Sequence, residues 1–220
     1  MPTDDRVSAP AEWLRTLLQD ACRGVFPEPD ARVEVIARPD GPVSAVLAFA
    51  AHHVVAADVD PDWVDRVLPP GDLSAPVSPP FLHALAKAIG AHAGCLDVVL
   101  TAPAAGGPPP LPLTETANHG HHRVDRAHRY RRDVRSWSTP GGVLVVGRGL
   151  AGRWEAAFEV DPAARGQGIG RTLAASARHF VPPGESLFIQ VTPGNVPSLR
   201  AVLAAGFTPI GAEVLLRHPA

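Results

Sequence analysis

The chain has 220 residues, of which 45% are hydrophobic and 19% charged, and its formal net charge is only -2. That balance belongs to a folded, water-soluble chain of one large or two small domains rather than a disordered or membrane one, and it excludes a global field drawing the protein to nucleic acid or an anionic membrane. Nineteen of the 20 basic residues counted as Lys or Arg are arginine, Lys87 being the exception, which marks GC-rich bacterial coding more than function. Cys22 and Cys95 lie far apart with no CxxC spacing, so neither a disulfide framework nor a zinc site is expected. The first residues carry Asp4 and Asp5 rather than the basic-then-apolar order of a secretory signal, and no stretch reaches transmembrane length. A cytoplasmic protein is the expectation.

In chain order, Leu14, Leu17, Leu18 and Ala21 recur at helical spacing over residues 11–22 before Gly24 and Pro27 stop the run. Residues 32–37, 43–51 and 53–59 are β-rich and bounded by Pro, Gly or Asp, which predicts adjacent antiparallel strands. Asp60 before Pro61 is a helix start, and Phe81, Leu82, Leu85 and Ile89 follow Pro79 and Pro80 at helical spacing. A strand over 96–101 leads to the Ala, Gly and Pro stretch 102–112, which sets a boundary between an N-terminal region, 1–105, and a second domain, 106–220. Beyond it, a basic helix over 121–137 carries only a thin apolar stripe, and three strands follow at 134–138, 143–147 and 153–160. A helix over 171–180, a strand over 187–191, a helix over 197–205 ended by Gly206, and a strand over 208–216 complete a β-β-β-α-β-α-β order. The fold class is mixed α/β.

The sharpest motif runs from the end of one of these strands into a helix: Phe158, Glu159 and Val160, then Arg165, Gly166, Gln167, Gly168, Ile169, Gly170 and Arg171. Glycines let successive amides converge without Cβ obstruction, and a helix N-terminus adds a positive dipole end, so a pyrophosphate is held without lysine. A dinucleotide fingerprint would need glycine where Arg171 stands, and a Walker A loop would need Gly-Lys-Ser/Thr. Neither is present.

What remains resembles the pyrophosphate-binding motif of the GNAT superfamily of acyl-CoA-dependent N-acyltransferases, Gln/Arg-x-x-Gly-x-Gly/Ala, filled here by Arg165, Gly168 and Gly170. Asn195, followed by Ser198 and then Gly206-Phe207, matches the spacing of the family's next helix, so the resemblance covers about residues 134–216. It implies a GNAT-like fold whose fourth strand splays from the fifth, with the edge of Phe158, Glu159 and Val160 pairing with pantetheine and the Val160 amide polarising the thioester carbonyl. It implies a cradle of residues 165–171 for the pyrophosphate, with Asn195 and Ser198 touching pantetheine; for Asn195, a helix-entry cap is nearly as good a reading. Acetyl-CoA is the implied acyl donor and a primary amine the acceptor, attacked directly without a covalent enzyme intermediate; a homodimer stays open.

Three departures temper the resemblance. The family's proton-donating tyrosine falls at Val202, which cannot donate. A general base is needed to neutralise the attacking amine; Glu155, which shares a strand face with Glu159, is the candidate, against the plainer reading of an ion-paired or solvated glutamate. The chain also ends a strand short of the family pattern, so the β-rich N-terminal half, in strand order a fit to a degenerate second unit of the same kind, is expected to complete the sheet or wall the acceptor site. His119, His121 and His122 cluster, but clustered loop histidines more often face solvent than a metal, and no metal is expected. Two rivals remain: a non-catalytic acyl-CoA-binding module and a protein-interaction domain that keeps only the fold.

Overall fold

A computed structural model describes residues 8–117 and 120–219 and divides the chain into two compact units that do not follow chain order. Residues 1–96, 150–152 and 211–220 make the first unit; residues 97–149 and 153–210 make the second.

The first unit contains α1 (Ala9–Cys22), β1 (Val33–Ile36), β2 (Val43–Phe49), β3 (His52–Ala56), α2 (Pro61–Val67), α3 (Pro79–Ala88) and the start of β4 (His92–Pro103). α1 opens with a proline in its first turn and buries Ala11, Leu14, Leu18 and Ala21, one stripe at helical spacing. β2 and β3 form a hairpin across Ala50 and Ala51, and residues 212–217 pair antiparallel with the other edge of β2. With both edges of β2 taken, β1 pairs with the outer edge of β3, in parallel and not antiparallel as the sequence predicts. Val46, Val55, Val64, Phe81, Leu85, Val214 and Leu216 close this unit's core under α2 and α3.

The second unit holds the rest of β4, β5 (Thr114–Glu115), α4 (His122–Tyr130), β6 (Arg132–Thr139), β7 (Gly142–Arg148), β8 (Trp154–Val160), α5 (Ile169–Ala177), β9 (Ser186–Val191), α6 (Val196–Ala204) and the start of β10 (Thr208–Arg217). The basic helix expected over 121–137 stops at Tyr130, because the residues from Arg132 onward pair with β7. Strand order runs β4-β9-β8-β7-β6-β5. Residues 98–103, from the N-terminal half of the sequence, pair antiparallel with the β9 edge that β8 does not take. The last strand in turn contributes residues 211–217 to the first unit. Each sheet therefore contains a strand distant in sequence from the one it pairs with.

On one face of the second sheet, Leu100, Leu144, Leu173, Leu187 and Val202 are fully buried with α5 and α6. Burying a leucine or valine side chain contributes about 1.5–3 kcal/mol, so this layer fixes the strands that carry the site. The other face packs Val143 and Val145 against Val124 and Ala127 of α4.

Candidate functional site

β8 is paired along its whole length with β7, but with β9 only at Trp154 and Glu155. From Ala156 onward the two parallel strands run apart, while β9 stays paired with β4 as far as Val191. The Asp161 amide donates to the Gly141 carbonyl at 2.9 Å, on the β7 side. By the alternation of a strand, Val160 and Phe158 then turn their N–H and C=O groups toward the edge that β9 has left. A strand edge with free amides thus leads into the glycine turn.

Gly166 and Gly168 have φ of 77° and 82°, the left-handed region where a side chain is strained. A Cβ at either position would meet nothing within 4 Å, so the turn opens outward. Gly168 is the N-cap of α5 and carries no side chain to satisfy the amides of the first turn. Gly170 sits close over the strand end, where an added Cβ would lie 3.5 Å from Phe158 and 3.6 Å from Val160. Arg165 and Arg171 are exposed at the two sides of the turn, and Arg165 Nε reaches the Val160 carbonyl at 3.4 Å. The Gln167 amide folds back on the Ala163 carbonyl at 3.3 Å. Uncapped amides, a helix dipole and two guanidiniums make a site whose chemistry suits a diphosphate.

Asn195 is the N-cap of α6: its side-chain oxygen accepts from the Ser198 amide at 3.3 Å. Val202, in place of a proton donor, is fully buried in the core.

Trp154, Phe158 and Val160 pack with buried Ala156 against the α5 and α6 side, so Glu155 and Glu159 share the opposite face. Glu155 is 2% exposed and both its oxygens are engaged, Oε2 by Arg131 Nε and Oε1 by Arg153 Nε, each at 2.9 Å. Its carboxylate lies directly on Gly149, where a Cβ would collide with it. The Arg153 guanidinium stacks over Phe188 at 5.1 Å, which closes the cluster with an aromatic face.

Glu159 is differently placed. Its Oε2 receives His122 Nε2 at 3.0 Å and Arg123 Nε at 3.2 Å. His122 is largely exposed, and its ring stacks on that of His121 at 5.0 Å. His121, His122 and Glu159 are the one trio of metal-ligating residues with donor atoms converging, within 4.8 Å, among the described residues. Yet His121 Nδ1 accepts from the Arg123 amide as the cap of α4, and the Arg123 guanidinium occupies the Glu159 oxygen, so the trio is arranged as a cap and an ion-pair cluster. His119 lies outside the described residues. Sequence reasoning paired neither Glu159 with His122 nor Glu155 with its arginines, and it missed Gln190. That residue lies on β9 beyond the point of divergence, on the Glu155 face by alternation, with a buried Nε2 lacking a hydrogen-bond partner among the described residues.

No family model matches the chain, and no curated protein does. Several solved structures are similar to it. A GCN5-related N-acetyltransferase from Kribbella flavida shares 16% identity over 63% of this chain and 64% of its own, with a TM-score of 0.40. An acetyltransferase from the GNAT family of Colwellia psychrerythraea shares 14% over 64% and 63%, at a TM-score of 0.35. A tandem GNAT protein from the clavulanic acid biosynthesis pathway, solved without AcCoA, shares 16% over 63% and 58%, at 0.36. These neighbours are GNAT-family acetyltransferases. The chain spans less than two thirds of the length of each. The chemistry of the site follows from its own residues, and no helix among those described is long and apolar enough to cross a membrane.

Proposed function

We propose that this chain binds an acyl-coenzyme A, acetyl-CoA foremost, and transfers the acyl group directly to a primary amine. The observation that carries the reading is the uncapped, Gly168-led N-terminus of α5 standing at the end of a strand whose partner has departed. The residues fit the donor: amides of 166–171 with Arg165 and Arg171 receive the pyrophosphate, and the free edge of Phe158, Glu159 and Val160 receives the amide-bearing pantetheine arm. Asn195 and Ser198, at the entry of α6, border that arm.

In the transfer, a neutral amine attacks the thioester carbonyl, a C–N bond forms, the C–S bond breaks and the CoA thiolate leaves. The Val160 amide, turned to the open edge, stabilises the developing oxyanion. The amine must lose a proton. Glu155, the base expected from sequence, has both oxygens held by buried guanidiniums, an arrangement that anchors the strand. The His122–Glu159 pair is the better acceptor of that proton, because His122 is exposed and Glu159 orients its ring from the residue next to Val160. Val202 leaves thiolate protonation to solvent.

A second reading, a non-catalytic acyl-CoA-binding module, is favoured by that same buried Val202 and by the engaged Glu155. Calorimetric titration of the purified chain with acetyl-CoA and CoA, repeated on Gly168→Glu, tests the shared claim: binding by the wild type that the variant loses. Thiol release in the presence of an amine panel then separates transferase from binder. No binding by the wild type overturns both and leaves the interaction-domain reading.

A further inference from the structure

The first unit contains a cavity of about 750 Å³ that the proposed transfer does not use. One wall is His53 of β3, which is only 4% exposed. Its backbone amide bonds to the Arg32 carbonyl, but no described residue forms a hydrogen bond with its ring. By strand alternation His53 points to the same face as Val55, beneath α2, and the opposite wall is the end of α2 with the loop after it, including Asp65, Leu68 and Leu73. The ring therefore stands between sheet and helix, facing the cavity. Burial, and then the neighbouring His52, push its pKa below the ordinary histidine value, so it is a neutral imidazole. The side chain is nearly buried yet bonded by no described residue, and its ring is open to a ligand in the cavity.

Adjacent His52 shows the contrast. Its Nδ1 meets Asp30 at 2.9 Å, and Glu34 lies 3.8 Å from its Nε2. Asp30 and Asp72 are both held below the usual carboxylate range, by the hydrogen bond from His52 and by that from Ser74 respectively. With Glu34 and Asp65, four carboxylates line the cavity against Arg32 as its one arginine, and the remaining lining is chiefly aliphatic or proline, with buried Pro76 among it. An anion is repelled by this rim, and a neutral apolar molecule leaves the imidazole unmet.

We infer that this cavity binds an amine in its ammonium form on an apolar body, with the His53 ring accepting from the ammonium, Asp65 on the facing helix supplying counter-charge, and the aliphatic wall covering the carbon chain. Nothing in it depends on acyl transfer. The test is an NMR titration of the full chain carrying labelled histidine, with n-hexylamine, n-hexanol and hexanoate as probes and His53→Gln used to assign the ring. Hexylamine is expected to shift the His53 ring saturably where hexanol and hexanoate do not, and Asp65→Asn, at an exposed position, to weaken that binding about fivefold. Folding of both variants is checked by thermal melting. The inference is overturned if hexylamine gives no saturable shift up to about 10 mM, well above the millimolar range of weak specific ligands. It is equally overturned if the three probes act alike, or if Asp65→Asn leaves the affinity unchanged.

Discussion

The two units each contain a strand running into a helix, and they treat the helix N-terminus in opposite ways. After β3, Asp60 caps α2 with its own carboxylate, which accepts from the Asp62 amide at 3.0 Å, and Asp62 adds a second negative charge in the first turn. After β8, α5 is led by Gly168 and has neither a side-chain cap nor an acidic residue in its first turn. The two glutamates of β8 are neutralised elsewhere: Glu155 between Arg131 and Arg153, Glu159 by Arg123 and His122. A helix N-terminus becomes an anion site when its cap is withheld and its first turn carries no carboxylate. The N-terminus of α2 is satisfied internally and has nothing to offer a phosphate.

The largest expected effect comes from breaking that neutralisation. Glu155→Ala strands two guanidiniums in the interior, and removing one partner of a buried ion pair costs about 3–5 kcal/mol. Chemical denaturation should show this loss; unchanged stability with loss of thiol release would instead restore Glu155 as the base. Next comes Gly168→Asp, which gives α5 the same kind of cap as α2. The new carboxylate takes the first-turn amides and repels the pyrophosphate, and acetyl-CoA affinity should fall about 100-fold by calorimetry, from the charge at the helix end together with the filled cradle. Retained affinity would place the donor somewhere else. Smaller again, His122→Gln keeps the ring's volume in part but not its basicity: kcat for thiol release should drop about 10- to 100-fold while acetyl-CoA affinity stays as it was. A fall in affinity with kcat intact would move His122 from proton transfer to donor binding.

The sequence makes some of this legible and conceals the rest, for a physical reason. Elements whose cause is local are readable: Asp60 before Pro61, the glycines of 166–170 between a strand and a helix, and Asn195 three residues before Ser198 each act through neighbours in the chain. The mixed α/β class follows from the same periodicities. Partner choice is not local. β1 goes parallel beside β3 only because residues 212–217, far along the chain, already occupy the free edge of β2. That residues 98–103 take the second edge of β9 likewise depends on a pairing between segments about 90 residues apart. The same holds for the side chains. Alternation puts Glu155 and Glu159 on one face, but Arg131 reaches Glu155 from 24 residues away, and His122 reaches Glu159 only once α4 packs on the sheet.

The smallest effect sharpens the contrast from the other side. Asp60→Ala removes the cap of α2, and the Asp62 amide then has only solvent as a partner. Loss of an N-cap costs about 1 kcal/mol, a modest fall in the denaturation midpoint. The variant uncovers a helix N-terminus much as Gly168 leaves one uncovered, but Asp62 remains in its first turn and no glycine turn precedes it. It should therefore gain no second acetyl-CoA site, and calorimetric stoichiometry should be that of the wild type. A second binding event in Asp60→Ala would mean that withholding the cap is sufficient by itself, and that the glycines and arginines around Gly168 contribute less than their arrangement implies.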